Sequence, residues 1–416
     1  MVRAVTLPVV ALAGLVGVRL TVSTLGVDRY AVFALVVGLA ALIPVGDLGV
    51  GAAVTDAVAR RRDLGPEGVQ RVLRTSLRVL VAVALALSIA GWILAALGWW
   101  APLLGVPHSG DVEVASGLAV MLYAAGLPMG LSRNVLLGAE RNDIALVFQA
   151  GSSVLALIVV LTAAATHAPL WAFAAAPSAG AVIASAAAWP RASAESGLLL
   201  TETVLSALLR GHPGARIAHL AGPMLVITTA LPIAYQSDRL LLSHLSNLGQ
   251  VAVYAVAAQI FGPLLGLVGA AGISLWPLFA RRRANQPVSR HELIRLTAAF
   301  TLAGALLAIA LVVAGPRVAQ FVSTGKIYVG PGVFASFGLL LVVNASWWPT
   351  GMLLTDRDGL RFQALCSVFM VVINVVISAA LAQRIGAAGP VLGSVMAIVI
   401  ALLIPGLRKA LIGMPR

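Results

Sequence analysis

Twelve long apolar runs, set apart by short polar or basic interruptions, occupy most of the chain. They lie at about 4–25, 30–58, 76–98, 114–136, 144–166, 169–189, 217–242, 250–280, 293–314, 332–354, 362–382 and 389–406. A helix rising 1.5 Å per residue needs about twenty apolar residues to cross the hydrocarbon layer, so each run predicts one membrane-spanning helix. The expected fold is therefore an all-α polytopic membrane protein with twelve transmembrane helices. The opening run has no small-residue cleavage site and is followed by further spans, so it reads as the first helix and not as a removed signal peptide.

Composition agrees with this pattern. Of 416 residues, 60% are hydrophobic and only 10% are charged, with a mean hydropathy of +1.00. Too few charges remain to cover a water-exposed surface, which excludes a soluble fold. The formal net charge of +13 would suit a nucleic-acid binder. Its distribution points elsewhere: the basic residues sit in short clusters between apolar runs, such as Arg60-Arg61-Arg62 and Arg281-Arg282-Arg283, so no nucleic-acid partner is expected.

Placing both termini in the cytoplasm puts 21 of the 28 Lys and Arg residues on that side and four on the other. This is the asymmetry that orients membrane helices. Trp99 and Trp100, at the outer end of the third helix, fit an interfacial aromatic belt. Asp111 and Glu113 read as a solvated outer loop. Cys366, alone in an apolar run, offers neither a disulfide framework nor a metal site.

The chain also resembles itself. Arg19-Leu20-x-x-Ser23-x-Leu25 recurs as Arg239-Leu240-x-x-Ser243-x-Leu245, and Tyr30-Ala31-Val32 recurs as Tyr254-Ala255-Val256. Phe148-Gln149-Ala150-x-x-Ser153-Val154 recurs as Phe362-Gln363-Ala364-x-x-Ser367-Val368. Six helices per copy is an even number, so the copies run in the same sense. This predicts two six-helix lobes, 1–205 and 206–416, related by a pseudo-twofold axis along the membrane normal, an organisation used by alternating-access transporters.

Charges at membrane depth cost roughly 2.5–3.5 kcal/mol each and need a cavity, a partner or an escape to the interface. Arg19 lies about 22 Å along the first helix from its inner end, and is a candidate lumenal anion binder. Asp47 sits roughly 16 Å above the inner end of the second helix, among Pro44, Gly46 and Gly49. Those residues loosen the helix and can free carbonyl groups for a coupling cation or a gating ion pair. Tyr235 and Asp238, at i and i+3, share a face of the seventh helix with Arg239 nearby. Tyr235 and Arg239 are expected to line the substrate path, and Asp238 to act in ion coupling or gating. Gly266, Gly269 and Gly272 in the eighth helix would let it approach and leave the first, forming a lateral gate. Gln259, Asn344 and Asn374 read as interhelical glue.

Catalytic patterns are lacking. Ser323-Thr324-Gly325-Lys326 misses both the upstream glycine and the following Ser/Thr of a phosphate loop, so ATP hydrolysis by this chain is not expected.

With these residues identified, the chain resembles the polysaccharide flippases of the multidrug/oligosaccharidyl-lipid/polysaccharide exporter (MOP) superfamily, the Wzx-like translocases of polyprenyl-linked sugars. The resemblance rests on Leu25-Gly26 through Tyr30, Asp47-Leu48-Gly49, and Gly138 with Arg141. In the second half it rests on Pro223, Asp238-Arg239, Gly249 with Tyr254, and Pro277 before the basic loop. It implies a MATE-like arrangement of two lobes in the bacterial inner membrane. It also implies a non-enzymatic, secondary-active flippase that carries a polyprenyl-diphosphate-linked oligosaccharide to the outer leaflet, with H⁺ or Na⁺ as coupling ion and no other cofactor. The implied partners are the lipid-linked glycan, membrane lipid, a polysaccharide polymerase and glycosyltransferases. Related lipid II flippases carry two more C-terminal helices, which counts against lipid II as cargo. A cation-coupled drug antiporter of the same fold and a non-transporting partner of a polysaccharide assembly complex remain alternatives. Intramembrane arginine favours an anionic diphosphate over a cationic drug.

Overall fold

The computed structural model describes residues 2–42, 49–198, 236–285 and 288–412, which are helical apart from short connections and, among the described residues, contain no strand. In hydrocarbon every backbone N–H and C=O must be satisfied within its own segment, and helices do this locally. The first half contains α1 (Val2–Leu25), α2 (Val27–Leu42), α3 (Val50–Ala59), α4 (Arg61–Ala96), α5 (Trp100–Leu104), α6 (Gly110–Met129), α7 (Leu131–Gly138), α8 (Asn142–Ala165) and α9 (Leu170–Ser196). The second half contains α10 (residues 236–245), α11 (Leu248–Ile273), α12 (Leu275–Asn285), α13 (Arg290–Val322), α14 (Pro331–Leu353), α15 (Arg357–Ile385), α16 (Ala388–Ile398), a π-helical turn at Val399–Leu403, and α17 (Ile404–Ile412).

Among the described residues, ten helical stretches are long and apolar enough to cross a membrane. They correspond to ten of the twelve expected spans. The expected span at 30–58 is present as α2 and α3 on either side of residues 43–48. Most of the span at 217–242 lies outside the described residues, as does the expected lobe boundary at 205/206. The chain divides into two compact units. One comprises Met1–Thr24 and Val36–Leu225, the other Leu25–Leu35 and Val226–Arg416. The first half of α2 thus belongs with the second unit.

Several helices run past their apolar cores. The basic stretch between the expected spans at 30–58 and 76–98 is helical from Arg61 onward. Gly65 adopts a left-handed φ of 66°, breaking the chain direction, and Pro66 restarts the helix where a missing N–H costs nothing. At the start of α13, Ser289 Oγ accepts the Glu292 N–H at 3.2 Å, an N-cap in an S-x-x-E sequence. The Glu292 carboxylate in turn binds Arg282 of α12. In the first unit, Arg141 and Arg191 both pair with Glu195, tying the start of α8 to the end of α9.

Small residues set the helix spacing. Gly180 of α9 lies against the backbone of Ser152 and Ala156 in α8. Gly304 and Ala308 of α13 meet Ala345 and Gly338 of α14. Lipid tails provide no hydrophobic drive between helices, so this close backbone approach is what packs them.

At the start of α5 the structure corrects two expectations. Glu113 is buried, 5% exposed, and is not part of a solvated loop. Its carboxylate accepts the backbone N–H groups of Trp100 at 3.1 Å and Ala101 at 3.0 Å, satisfying the orphan donors of a short helix. Trp100 is buried as well, donating its indole N–H to the Gly91 carbonyl at 2.9 Å, so only Trp99 is exposed as a belt residue.

Candidate functional site

The most polar buried cluster among the described residues lies in the second unit, where α10, α11, α15 and α16 converge. Asp238 of α10 is 1% exposed. Its Oδ2 accepts hydrogen bonds from the Tyr254 hydroxyl of α11 at 3.0 Å and the Ser394 hydroxyl of α16 at 3.3 Å. Asn374 of α15 donates its Nδ2 to Ser394 Oγ at 2.7 Å. One turn later on α15, the Ser378 hydroxyl faces the same carboxylate but gives its proton to the Pro390 carbonyl at 3.1 Å.

Each neighbour is held in place. Tyr254 stacks near Phe337, with ring centroids 5.5 Å apart, and Phe337 in turn meets Phe261 at 5.0 Å. The turn between α15 and α16 is closed by Gln250 Oε1, which accepts the Ala387 N–H at 2.8 Å. Asn247 caps α11 by accepting the Gln250 N–H at 3.0 Å.

Two acceptors in this cluster are left over. Asp238 Oδ1 and Asn374 Oδ1 are buried and receive no hydrogen bond from a described residue. A buried carboxylate with an unmet lone pair is costly, and either a proton or a bound cation removes that cost. The available ligands are the carboxylate and amide oxygens, the Ser378 and Ser394 hydroxyls and the Pro390 carbonyl. All are hard oxygen donors, the set that suits an alkali or hard cation and not a soft transition metal. Among the described residues no group of three or more His, Cys, Asp or Glu side chains is positioned to hold a metal.

Arg239, the next residue, points another way. Its Nη1 donates to the Ala34 carbonyl of α2 at 3.0 Å, close to buried Tyr30, while its Nε is buried without an acceptor. This bond joins α10 to the first half of α2 within the unit.

The other expected site residues fall as follows. Arg19 is half-buried in α1 of the first unit. Gly49, at φ 71°, is the left-handed residue that opens α3. Gly266 is exposed on α11, whereas a Cβ on Gly269 would sit 3.3 Å from the Trp348 ring of α14 and one on Gly272 would overlap that ring. Pro44, Gly46, Asp47 and Tyr235 lie outside the described residues. Asn344 donates to the Leu340 carbonyl one turn back, but Asn374, expected as glue, joins the Asp238 cluster. Sequence reasoning missed Ser378, Ser394 and the role of Tyr254. The signal for the first was the i, i+4 pair Asn374 and Ser378 on one helix face.

A family model described as "Polysaccharide biosynthesis protein" matches residues 5–282. No curated protein matches by sequence. Solved structures match over nearly the whole chain. The inward closed conformation of the lipid II flippase MurJ superposes with a TM-score of 0.71 at 12% identity, covering 99% of this chain and 87% of that one. An inward-facing multidrug resistance MATE family transporter of the MOP superfamily gives 0.68 at 15% identity, covering 96% and 93%. The Vibrio cholerae MATE transporter VcmN in its bent form gives 0.56 at 16% identity, covering 98% and 96%. At these identities the likeness is one of fold.

Proposed function

The chain belongs to the polysaccharide biosynthesis protein family, with the MOP-type transporter fold, and from that premise we propose that it is a secondary-active flippase for a polyprenyl-diphosphate-linked oligosaccharide. On this reading the cargo moves from the inner to the outer leaflet of a bacterial inner membrane, and a monovalent cation binding at Asp238 is coupled to the movement.

The observation that carries the coupling part is the pair of undonated oxygens, Asp238 Oδ1 and Asn374 Oδ1, in a cluster otherwise satisfied. Binding Na⁺ or H⁺ neutralises the carboxylate, and the bound and free states then differ in how tightly α10, α11, α15 and α16 are drawn together. Such a differential interaction is what lets an ion gradient bias a conformational equilibrium. The lipid tail stays in the bilayer, because each CH₂ withdrawn from hydrocarbon costs about 0.8 kcal/mol, so only the polar head needs a protein path. Arg19 remains the proposed contact for the anionic head on the first unit, and Tyr235 and Arg239 on the second.

Reconstitution tests this. Proteoliposomes loaded with a fluorescent polyprenyl-diphosphate oligosaccharide should expose the head group on the far leaflet, faster under an imposed Na⁺ or H⁺ gradient. If lipid-linked sugar stays put while a cationic drug is exchanged for the ion, the chain is an antiporter of the same fold and the flippase reading fails.

A further inference from the structure

In the first unit, α7, α8 and α9 border a cleft of about 140 Å³. Its polar lining is Arg133, Gln149, Ser152 and Ser185, with Leu136 and Phe148 among the apolar walls. Ser132 anchors the rim, its hydroxyl shared between the Met129 and Ser185 carbonyls at 2.9 Å each. The Arg133 guanidinium makes no ion pair or hydrogen bond with any described residue, although Arg141 and Arg191 close by are both committed to Glu195. The Gln149 amide is equally uncommitted.

The internal repeat shows that this is not simply how the fold packs. A shift of 214 residues carries Gln149 onto Gln363, Ser132 onto Ser346 and Arg133 onto Trp347. In the second unit Gln363 is buried and donates to the Gly351 and Leu354 carbonyls at 3.1 and 2.7 Å. The Trp347 ring packs on Gly351 and fills against Gly406. The same position thus holds an indole and a satisfied amide in one unit, and a cleft with an open guanidinium and an open amide in the other. The cleft is on the side of α8 opposite its exposed stripe of Val147, Val154, Ile158 and Leu161, so it faces away from the lipid-facing surface. Gln149 is about 10 Å along α8 from its first residue.

We infer that this cleft is a binding subsite for a phosphate group carried by the cargo, with Arg133 supplying a forked, charge-assisted contact and Gln149 a further N–H donor. The inference rests on the flippase reading and adds to the Arg19 contact a second anchor for its anionic head on the first unit.

Binding of undecaprenyl diphosphate and of inorganic pyrophosphate to the purified full chain, followed by native mass spectrometry and calorimetry, tests it. Arg133→Gln should weaken undecaprenyl diphosphate binding about 10- to 100-fold, Gln149→Leu less, and Arg133→Lys least. Thermal stability should be unchanged, because Arg133 is exposed and has no ion-pair or hydrogen-bond partner among the described residues. If the wild type binds and Arg133→Gln binds equally well, the subsite is wrong and the flippase reading stands. If the wild type binds no polyprenyl diphosphate, the flippase reading itself fails. Pyrophosphate binding as tightly as the lipid form would mean a soluble phosphate ligand and would overturn the inference.

Discussion

Tyr254 donates its phenolic proton to Asp238 Oδ2 at 3.0 Å, within a pocket where both residues are buried, and among the described residues no donor reaches the second carboxylate oxygen, Oδ1. A tyrosine fixed by Phe337 thus presents one face of a carboxylate as an open acceptor, which is the geometry a proton or cation occupies.

The Asp238→Asn variant should insert and fold but flip at least about tenfold more slowly, and its rate should no longer respond to Na⁺ or pH. In the wild type Na⁺ must compete with protons for the carboxylate, so Na⁺ stimulation should strengthen as pH rises. Ion-dependent flipping in reconstituted vesicles measures both. A fully ion-responsive Asn variant would make the cluster structural.

Asn374→Leu should separate coupling from packing. It removes one undonated oxygen and the donor to Ser394, so Na⁺ affinity should fall while the Asp238–Tyr254 bond persists. Isotope uptake of ²²Na by purified protein provides the measurement, and unchanged affinity would remove Asn374 from the site.

Arg239→Ala should lower stability in detergent by about 1–3 kcal/mol, because the Ala34 carbonyl then loses its charge-assisted donor in a buried setting. Thermal unfolding checks this. A neutral outcome would show that the bond to the Ala34 carbonyl adds nothing to stability.

Gly272→Val should destabilise by about 1–3 kcal/mol through overlap with the Trp348 ring, and Trp348→Ala in the same chain should recover part of the loss. Recovery would assign Gly272 to packing inside the second unit. Loss of transport at full stability would instead support its role in a lateral gate.

At the start of α5 in the first unit, Glu113→Ala should cost about 1–3 kcal/mol, since two buried N–H groups lose their acceptor. A thermal midpoint equal to that of the wild type would contradict this account.

The amino-acid sequence by itself determined that this is a helical membrane protein with two related halves. That information is local: a run of apolar residues must satisfy its own backbone in hydrocarbon, so length and composition suffice to predict each helix. It also marked Asp238 and Arg239 as expensive residues at membrane depth. Only the tertiary structure decided what they do, because their partners are remote in the chain. Ser394 is 156 residues from Asp238, and Ala34 is 205 residues from Arg239. No periodicity encodes a contact of that span. Adjacent on one helix, the two residues point to different neighbours, one into a cluster of oxygens and the other onto a backbone carbonyl. Likewise Gln149 and Gln363 are identical in their sequence motif, and only the packing of an indole in one unit and open space in the other distinguishes a helix cap from a binding group.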